Sequence, residues 1–217
     1  MIKVVILDFD DTLCLTEEAC FDLENEIAVS MNFSPMSRDT HQKNWGKILR
    51  EAIIERVPGI NVDEFMEEHE RLIVDYVLQG KLDKISDENI KVLDEIKKAG
   101  KKLAILTSRD LHEVKHLLNE SHPLSSRVEA FYHRDNSEYI KPDPRVFNNI
   151  LYRFDIMPDE CVYIGDAVTD AVAANGAGMH FIAVLESGLR AREDFKDVNV
   201  DLFIDKFADM KSYVLNN

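Results

Sequence analysis

Two hydrophobic periods alternate along this chain. Val4-Val5-Ile6-Leu7 is a β-branched run closed by Asp8, which predicts a short strand buried on both faces. Runs of the same kind recur at 102–107, near Phe131, and at 161–165, 180–184 and 201–204. Between them the period lengthens to that of a helix. Ile90, Leu93, Ile96 and Ala99 form one stripe, stopped at Gly100 in a C-cap position. Val114, Leu117 and Leu118 form a second, and Val146, Phe147, Ile150, Leu151 and Phe154 a third. Strands alternating with helices predict an α/β fold, a Rossmann-like parallel sheet with helices on both faces. The last ten or so residues read as a terminal helix.

The stretch 16–84 breaks the alternation. No strand is legible there, only helical stripes. They run through Ala19, Leu23 and Ile27, then Trp45, Ile48, Leu49, Ala52 and Ile53, then Phe65, Met66, His69, Leu72, Ile73, Tyr76 and Val77. Ser34-Pro35 and Pro58-Gly59 separate them. A crossover between parallel strands needs one helix, so this much helix predicts an inserted bundle. The expected organisation is a core of residues 1–14 and 85–217 with a helical domain at 15–84.

Composition narrows the function. Lys+Arg number 26 against 41 Asp+Glu, a formal net charge of −15. Such a chain repels phosphate backbones and anionic lipid, which argues against nucleic-acid and membrane partners. An anionic substrate would then need a metal and a few placed cations. Cys14, Cys20 and Cys161 follow no disulfide or zinc spacing. The apolar run before Asp8 is too short for a signal peptide or a membrane span, and a cytoplasmic location is expected.

In an open parallel sheet, ligands collect at the carboxyl ends of the strands. Every such end here carries polar chemistry. Asp8-Phe9-Asp10-Asp11-Thr12-Leu13 follows the first strand, and Thr107-Ser108-Arg109-Asp110 the second. Lys141-Pro142-Asp143-Pro144 opens a helix after the third, and Gly165-Asp166-Ala167-Val168-Thr169-Asp170 follows the fourth. Each alone has an ordinary reading as an N-cap, a solvated acid or a loop lysine. Four in this order point to phosphoryl transfer. A fixed carboxylate, Asp8, splits a slow hydrolysis into two easier steps, and Asp10 can protonate the leaving oxygen and then deprotonate water. Clustered acids facing a dianion call for a divalent, oxygen-loving ion, for which Mg²⁺ is suited. Asp166 would complete that site with Asp170 in support, while Thr107, Ser108 and Lys141 would meet the transferring oxygens.

These segments resemble the motifs of the haloacid dehalogenase superfamily on its phosphatase side. Asp8 to Leu13 is similar to its D-x-D-x-T-L motif, and Thr107-Ser108 to its second. Lys141 to Phe147 is similar to K-P-x-P-x-x-F, and Gly165 to Asp170 to G-D-x-x-x-D. The resemblance spans essentially the whole chain and is nearest to phosphoglycolate-phosphatase-like members with a helical C1-type cap after the first motif. It implies Asp8 as nucleophile and Asp10 as acid/base, with Mg²⁺ held by Asp8, the Asp10 carbonyl and Asp166. The expected partner is a small phosphorylated metabolite, and the chain is expected to be a monomer or homodimer, the oligomeric state staying open. Cys20 falls near the position where mutase members carry a cap histidine, which favours a hydrolase over the alternative, a sugar-phosphate mutase. The segment 36–47 resembles the family's specificity loop. Lys47, Trp45 and Arg38 are therefore candidates for reading the rest of the substrate.

One motif competes. His112, Glu113, His116 and His122 fit the H-E-x-x-H pattern of a zinc metalloprotease with a third histidine six residues on. The segment lies directly behind a parallel strand, where a surface-covering helix is expected, and no methionine turn follows. The protease remains the distant alternative.

Overall fold

A computed structural model describes residues 1–217 and divides them into two compact units, residues 1–14 with 85–217, and residues 15–84. The first is built on six parallel strands. In chain order they are β1 (Val4–Leu7), β2 (Lys102–Leu106), β3 (Ala130–Tyr132), β4 (Cys161–Gly165), β5 (His180–Val184) and β6 (Leu202–Ile204). Their spatial order is β3-β2-β1-β4-β5-β6, so β1 is central and the winding reverses between β1 and β4. All five pairings are parallel. The expected α/β sheet is what forms.

The period of two explains why β1 carries no polar residue. Val5 and Leu7 face a core shared with Val92, Leu93, Ile96 and Leu117. Val4 and Ile6 face the opposite core with Phe147, Ile150, Ala173 and Phe181. A strand covered on both sides has no solvent face to mark with polar residues.

Helices fill the connections. In the first unit these are α5 (Asp87–Lys98), α6 (Leu111–Val114), α7 (Asn148–Phe154), α8 (Val168–Ala177) and α9 (Met210–Asn216). Ser86 starts α5 by accepting from Asn89 N at 3.1 Å. Gly178 ends α8 at φ +77°, a left-handed position that suits glycine. The stripe at Val114, Leu117 and Leu118 is shorter than its spacing suggests. Only Leu111–Val114 is helical, and turns continue to Arg127 through Asn119, Ser121 and Pro123. Val114 and Leu117 are buried but Leu118 is exposed.

The second unit holds α1 (Glu17–Ser30), α2 (Arg38–Lys43), α3 (Leu49–Arg56) and α4 (Val62–Leu78). Leu23, Ile27, Ile53, Phe65, Leu72 and Ile73 make its core. Trp45 and Ile48 lie outside α3, because a turn with Gly46 at φ +85° interrupts the stripe before Leu49. This unit also buries charge. His41, fully buried, places Nδ1 2.8 Å from Glu17 Oε1 and Nε2 3.3 Å from Glu24 Oε1. Arg56 donates Nη1 to both Glu24 oxygens at 2.6 and 2.7 Å, and Nη2 to the Asn44 carbonyl at 3.0 Å. The segment between α1 and α3 is thereby tied to both helices.

Removing one partner of a buried pair strands the other, at a cost of about 3–5 kcal/mol. Arg56→Met is expected to destabilise this unit by that amount. Trp45, the chain's single tryptophan, rings against His41 at 5.1 Å, so its fluorescence in urea reports this unit's unfolding. A loss under about 1 kcal/mol, the scale of an exposed pair, would contradict the assigned role.

Candidate active site

The register places the acids before any side chain is considered. Leu7 pairs with Ile164 on β4 and with Ile105 on β2, so Asp8 emerges where the central strand ends between two neighbours. Its amide still donates to the Ile164 carbonyl at 2.9 Å, which extends the ladder by one bond and fixes the residue. Asp166 follows β4 by one residue and Thr107 follows β2 by one. This is the point where strand order reverses, the usual ligand position in such a sheet.

Lys141 is the hub. Its Nζ lies 3.0 Å from Asp8 Oδ1, 2.7 Å from Asp170 Oδ1 and 3.0 Å from the Tyr163 hydroxyl, which accepts from it. Those three contacts match the three protons of an ammonium group. Both acids are buried, and the lysine side chain is 7% exposed. Asp170 is held from behind, since Oδ2 accepts from the Ala167 amide at 3.0 Å. Asp166 accepts from the Thr12 hydroxyl at 3.4 Å. Thr107, Ser108 and Lys141 line one small hollow, Ser108 on its exposed side.

The electrostatics follow from burial. Loss of solvent pushes the Asp8 carboxyl up to about 7; Lys141 opposes the rise, while Asp170 and Asp10 add to it. Burial also raises Asp166 well above the usual carboxylate range, with Asp170, Asp8 and Asp11 reinforcing it. Burial works against the charge of Lys141, yet Asp170 and Asp8 outweigh it and hold the amine well above its ordinary value. The cluster thus holds more acidic groups than its one lysine can offset. Oxygens of Asp8, Asp166 and Asp170 lie within 4.8 Å of one another, a donor set of hard oxygens that fits a divalent cation.

Asp10 stands apart from this knot and is itself held. Arg109 donates Nε to Asp10 Oδ2 at 2.9 Å and Nη2 to Oδ1 at 2.5 Å, and its guanidinium lies 5.1 Å over the Phe9 ring. The sequence offers no signal for Arg109 or Tyr163, because nothing local distinguishes a partner of Asp10 or Lys141 from a surface cation or a core aromatic. The spacing of Glu113 behind Asp110 does signal its role. Glu113 accepts from the Asp110 amide at 3.0 Å while Asp110 accepts from the Glu113 amide at 3.2 Å, a capping box. Burial pushes the Glu113 carboxyl up to about 7, against the lowering influence of Arg109.

The histidine pattern does not become a zinc site. His116 falls in a turn beyond the four-residue α6, and Glu113 is spent on the cap. The acid cluster at Asp8, Asp166 and Asp170 is where three ligand atoms converge. In the second unit, Arg38 pairs with Glu17 at 2.5 Å and Lys47 with Glu55 at 3.0 Å. Trp45, half-buried, lies against His41 and 6.0 Å from the Arg56 guanidinium.

A doubly wound sheet with carboxylates, a buried lysine and a hydroxyl at its central strand ends defines a hydrolase of the haloacid dehalogenase type. The chain belongs to that family, matching its haloacid dehalogenase-like hydrolase description over residues 5–184. It is 32% identical to a phosphoglycolate phosphatase of Xylella fastidiosa, over 88% of this chain and 83% of the relative. It is 25% identical to a phosphoglycolate phosphatase of Psychrobacter arcticus, over 98% of this chain and 96% of that one. The crystal structure of CbbY from Rhodobacter sphaeroides in complex with phosphate shares the fold, with a TM-score of 0.82, 22% identity and full coverage of both chains.

Gly165 is a second test of the cluster. A Cβ there would stand 2.4 Å from Asp170 Oδ2, so Asp170 must move and loosen its hold on Lys141. Overpacking of this kind costs about 1–3 kcal/mol. Gly165→Ala is expected to lower the thermal midpoint accordingly, and an unchanged midpoint would show that Asp170 has room the geometry denies it.

Proposed function

We propose that this protein is a Mg²⁺-dependent phosphatase that hydrolyses a small phosphomonoester through an aspartyl-phosphate. The observation that carries the reading is the buried contact set of Asp8, Lys141 and Asp170 at the end of the central strand, with Asp166 beside it. A carboxylate fixed on a strand end and flanked by a cation suits attack on phosphorus better than any binding role.

Asp8 attacks the phosphorus as the bond to the leaving oxygen breaks in line. Asp10 gives that oxygen its proton, and the alcohol departs. Asp10, now a carboxylate, takes a proton from water as the water oxygen attacks the phosphorus of the aspartyl-phosphate. The acyl–phosphate P–O bond breaks, inorganic phosphate leaves and Asp8 returns as carboxylate. Lys141, Thr107 and Ser108 neutralise and orient the phosphoryl oxygens, and Asp170 keeps Lys141 in place. Asp8, Asp166 and the Asp10 carbonyl would hold Mg²⁺, which when bound supplies positive charge to the phosphoryl oxygens.

The relatives' names make phosphoglycolate the first compound to try, beside sugar phosphates, nucleoside monophosphates and pyrophosphate. Trp45, Lys47 and Arg38 in the helical cap are our candidates for discriminating among them. No helix is long and apolar enough to cross a membrane.

Asp8→Asn is expected to abolish phosphate release, by more than about a thousandfold, while circular dichroism stays unchanged. Appreciable residual turnover of p-nitrophenyl phosphate would refute Asp8 as nucleophile. EDTA is expected to silence the wild-type enzyme and Mg²⁺ to restore it. Restoration by Zn²⁺ alone would point away from an all-oxygen site.

A further inference from the structure

Arg134 is the one arginine of this chain whose side chain meets no partner. The others donate to carboxylates or carbonyls, or lie over an aromatic ring. With 41 acids against 26 bases, a guanidinium left without an acid is out of keeping with the rest of the chain. Its nearest acid in sequence is engaged elsewhere. Asp135 Oδ2 accepts from the Leu111 amide at 2.5 Å and lies 3.8 Å from His133 Nδ1. Arg134 is also half-buried, so its charge is neither neutralised nor fully hydrated.

The backbone puts this residue at the end of the sheet that carries Asp8. β3 ends at Tyr132, and Arg134 opens a tight turn over Arg134–Asn136 just beyond it. The Arg134 amide donates to the Arg109 carbonyl at 2.9 Å, which ties the turn to the loop after β2. Within the turn, Asn136 Oδ1 accepts from the His133 amide at 2.7 Å. Arg134 and Ser137 line the same hollow as Thr107, Ser108 and Lys141. Ser137 Oγ is buried without a hydrogen-bond partner, a deficit that a ligand oxygen would remove. The hollow holds about 10 Å³, close to one water-sized group, so it suits the end of a ligand and not its body. Lys141 Nζ reaches Asp8 Oδ1 at 3.0 Å, so the hollow lies one side chain away from the proposed nucleophile. Neighbouring strands stand roughly 5 Å apart, which puts the end of β3 about 10 Å from that of β1. A short substrate and an arginine side chain cover that span together.

We propose that Arg134 recognises a second anionic group, a carboxylate or a second phosphate, at the end of the substrate away from the transferring phosphoryl group. This rests on the phosphatase reading and names the substrate class within it. A guanidinium matches either anion with two parallel hydrogen bonds, and Ser137 can add a third donor. A substrate whose far end bears only hydroxyls would leave the cation uncompensated.

Matched esters test this with purified full-length enzyme, Arg134→Gln and Arg134→Glu. The pairs are 2-phosphoglycolate with ethyl phosphate, 3-phosphoglycerate with glycerol 3-phosphate, and propane-1,3-diol bisphosphate with propyl phosphate. The first two ask whether the second anion is a carboxylate, the third whether it is a phosphate. In at least one pair the wild-type enzyme is expected to prefer the acidic member. In that pair Arg134→Gln is expected to lose about tenfold or more in kcat/KM on the acidic member, the scale of one hydrogen bond between charged groups, and under about twofold on the neutral one. Arg134→Glu is expected to shift the preference from 2-phosphoglycolate toward 2-aminoethyl phosphate, whose far end is a cation.

The proposal is overturned by a wild-type enzyme indifferent to the second anion in all three pairs. Equal losses on both members of a pair would overturn it as well, because Arg134 would then act on the phosphoryl group or the fold. So would an Arg134→Glu variant with the wild-type order of preference. If the wild-type enzyme released phosphate from none of these esters nor from p-nitrophenyl phosphate, the phosphatase reading itself would fall. That failure appears on substrates without a second anion and is thereby distinguishable from the others.

Discussion

The structure depends on one electrostatic arrangement: three buried carboxyl groups crowded around one buried ammonium. Lys141 meets Asp8 at 3.0 Å and Asp170 at 2.7 Å, and Asp166 lies in the same cluster. Burying one pair roughly breaks even at best, because desolvation offsets the attraction. Adding a further acid is unfavourable outright, and burial first, then the neighbouring acids, raises the carboxyls of Asp8 and Asp166. The sheet supplies what the site consumes. Two apolar cores cover β1, and its neighbours hold Asp8 in register, so the acids cannot relax apart. A strained polar knot at the end of an otherwise apolar strand marks a functional site on physical grounds alone.

The second unit buries charge differently. His41 lies between Glu17 and Glu24, and Arg56 closes the set on Glu24 with two short contacts. Burial would raise the Glu24 carboxyl, but hydrogen bonding from His41 and the charge of Arg56 bring it below its ordinary value. That is the signature of a pair network that stabilises its own ionised form. The core cluster has the opposite signature, and the contrast separates a structural network from a reactive one.

Sequence reasoning reached the architecture because periodicity records burial, and the sheet has one buried strand for each apolar run. Asp8 and Asp166 were legible as strand-end residues because a polar residue directly after a buried strand is placed by the strand itself, whereas Lys141, well beyond β3, and Asp170, inside α8, were legible only through their motifs. Tyr163 was out of reach for the converse reason. It sits inside an apolar run, where its ring reads as core and its hydroxyl, 3.0 Å from Lys141, leaves no trace in the pattern. Arg109 was in plain view beside Thr107, but nothing in a linear sequence says that its partner lies ninety-nine residues earlier. The helical stripe at Val114 and Leu117 misled through its extension to Leu118. Two buried residues three apart fit one helical turn and the tight turns that follow it equally well. The family resemblance carried the motifs; it carried none of these side-chain partnerships.

A net charge of −15 is an apparent obstacle to the proposed handling of an anionic phosphoester, and the distances remove it. At physiological ionic strength exposed charges are screened beyond about 8 Å, so acids scattered over the surface contribute little at the reacting phosphorus. Buried groups are screened much less, and the local balance there is set by Lys141 against Asp8, Asp166 and Asp170. The surface excess instead captures other cations of the chain. Lys47 goes to Glu55 and Arg50 to Asp63, while Arg38 reaches inward to the buried Glu17. With acids outnumbering bases, a surface cation near an acid is the rule. Lys141 is guarded by burial, its side chain 7% exposed and held between Asp8 and Asp170.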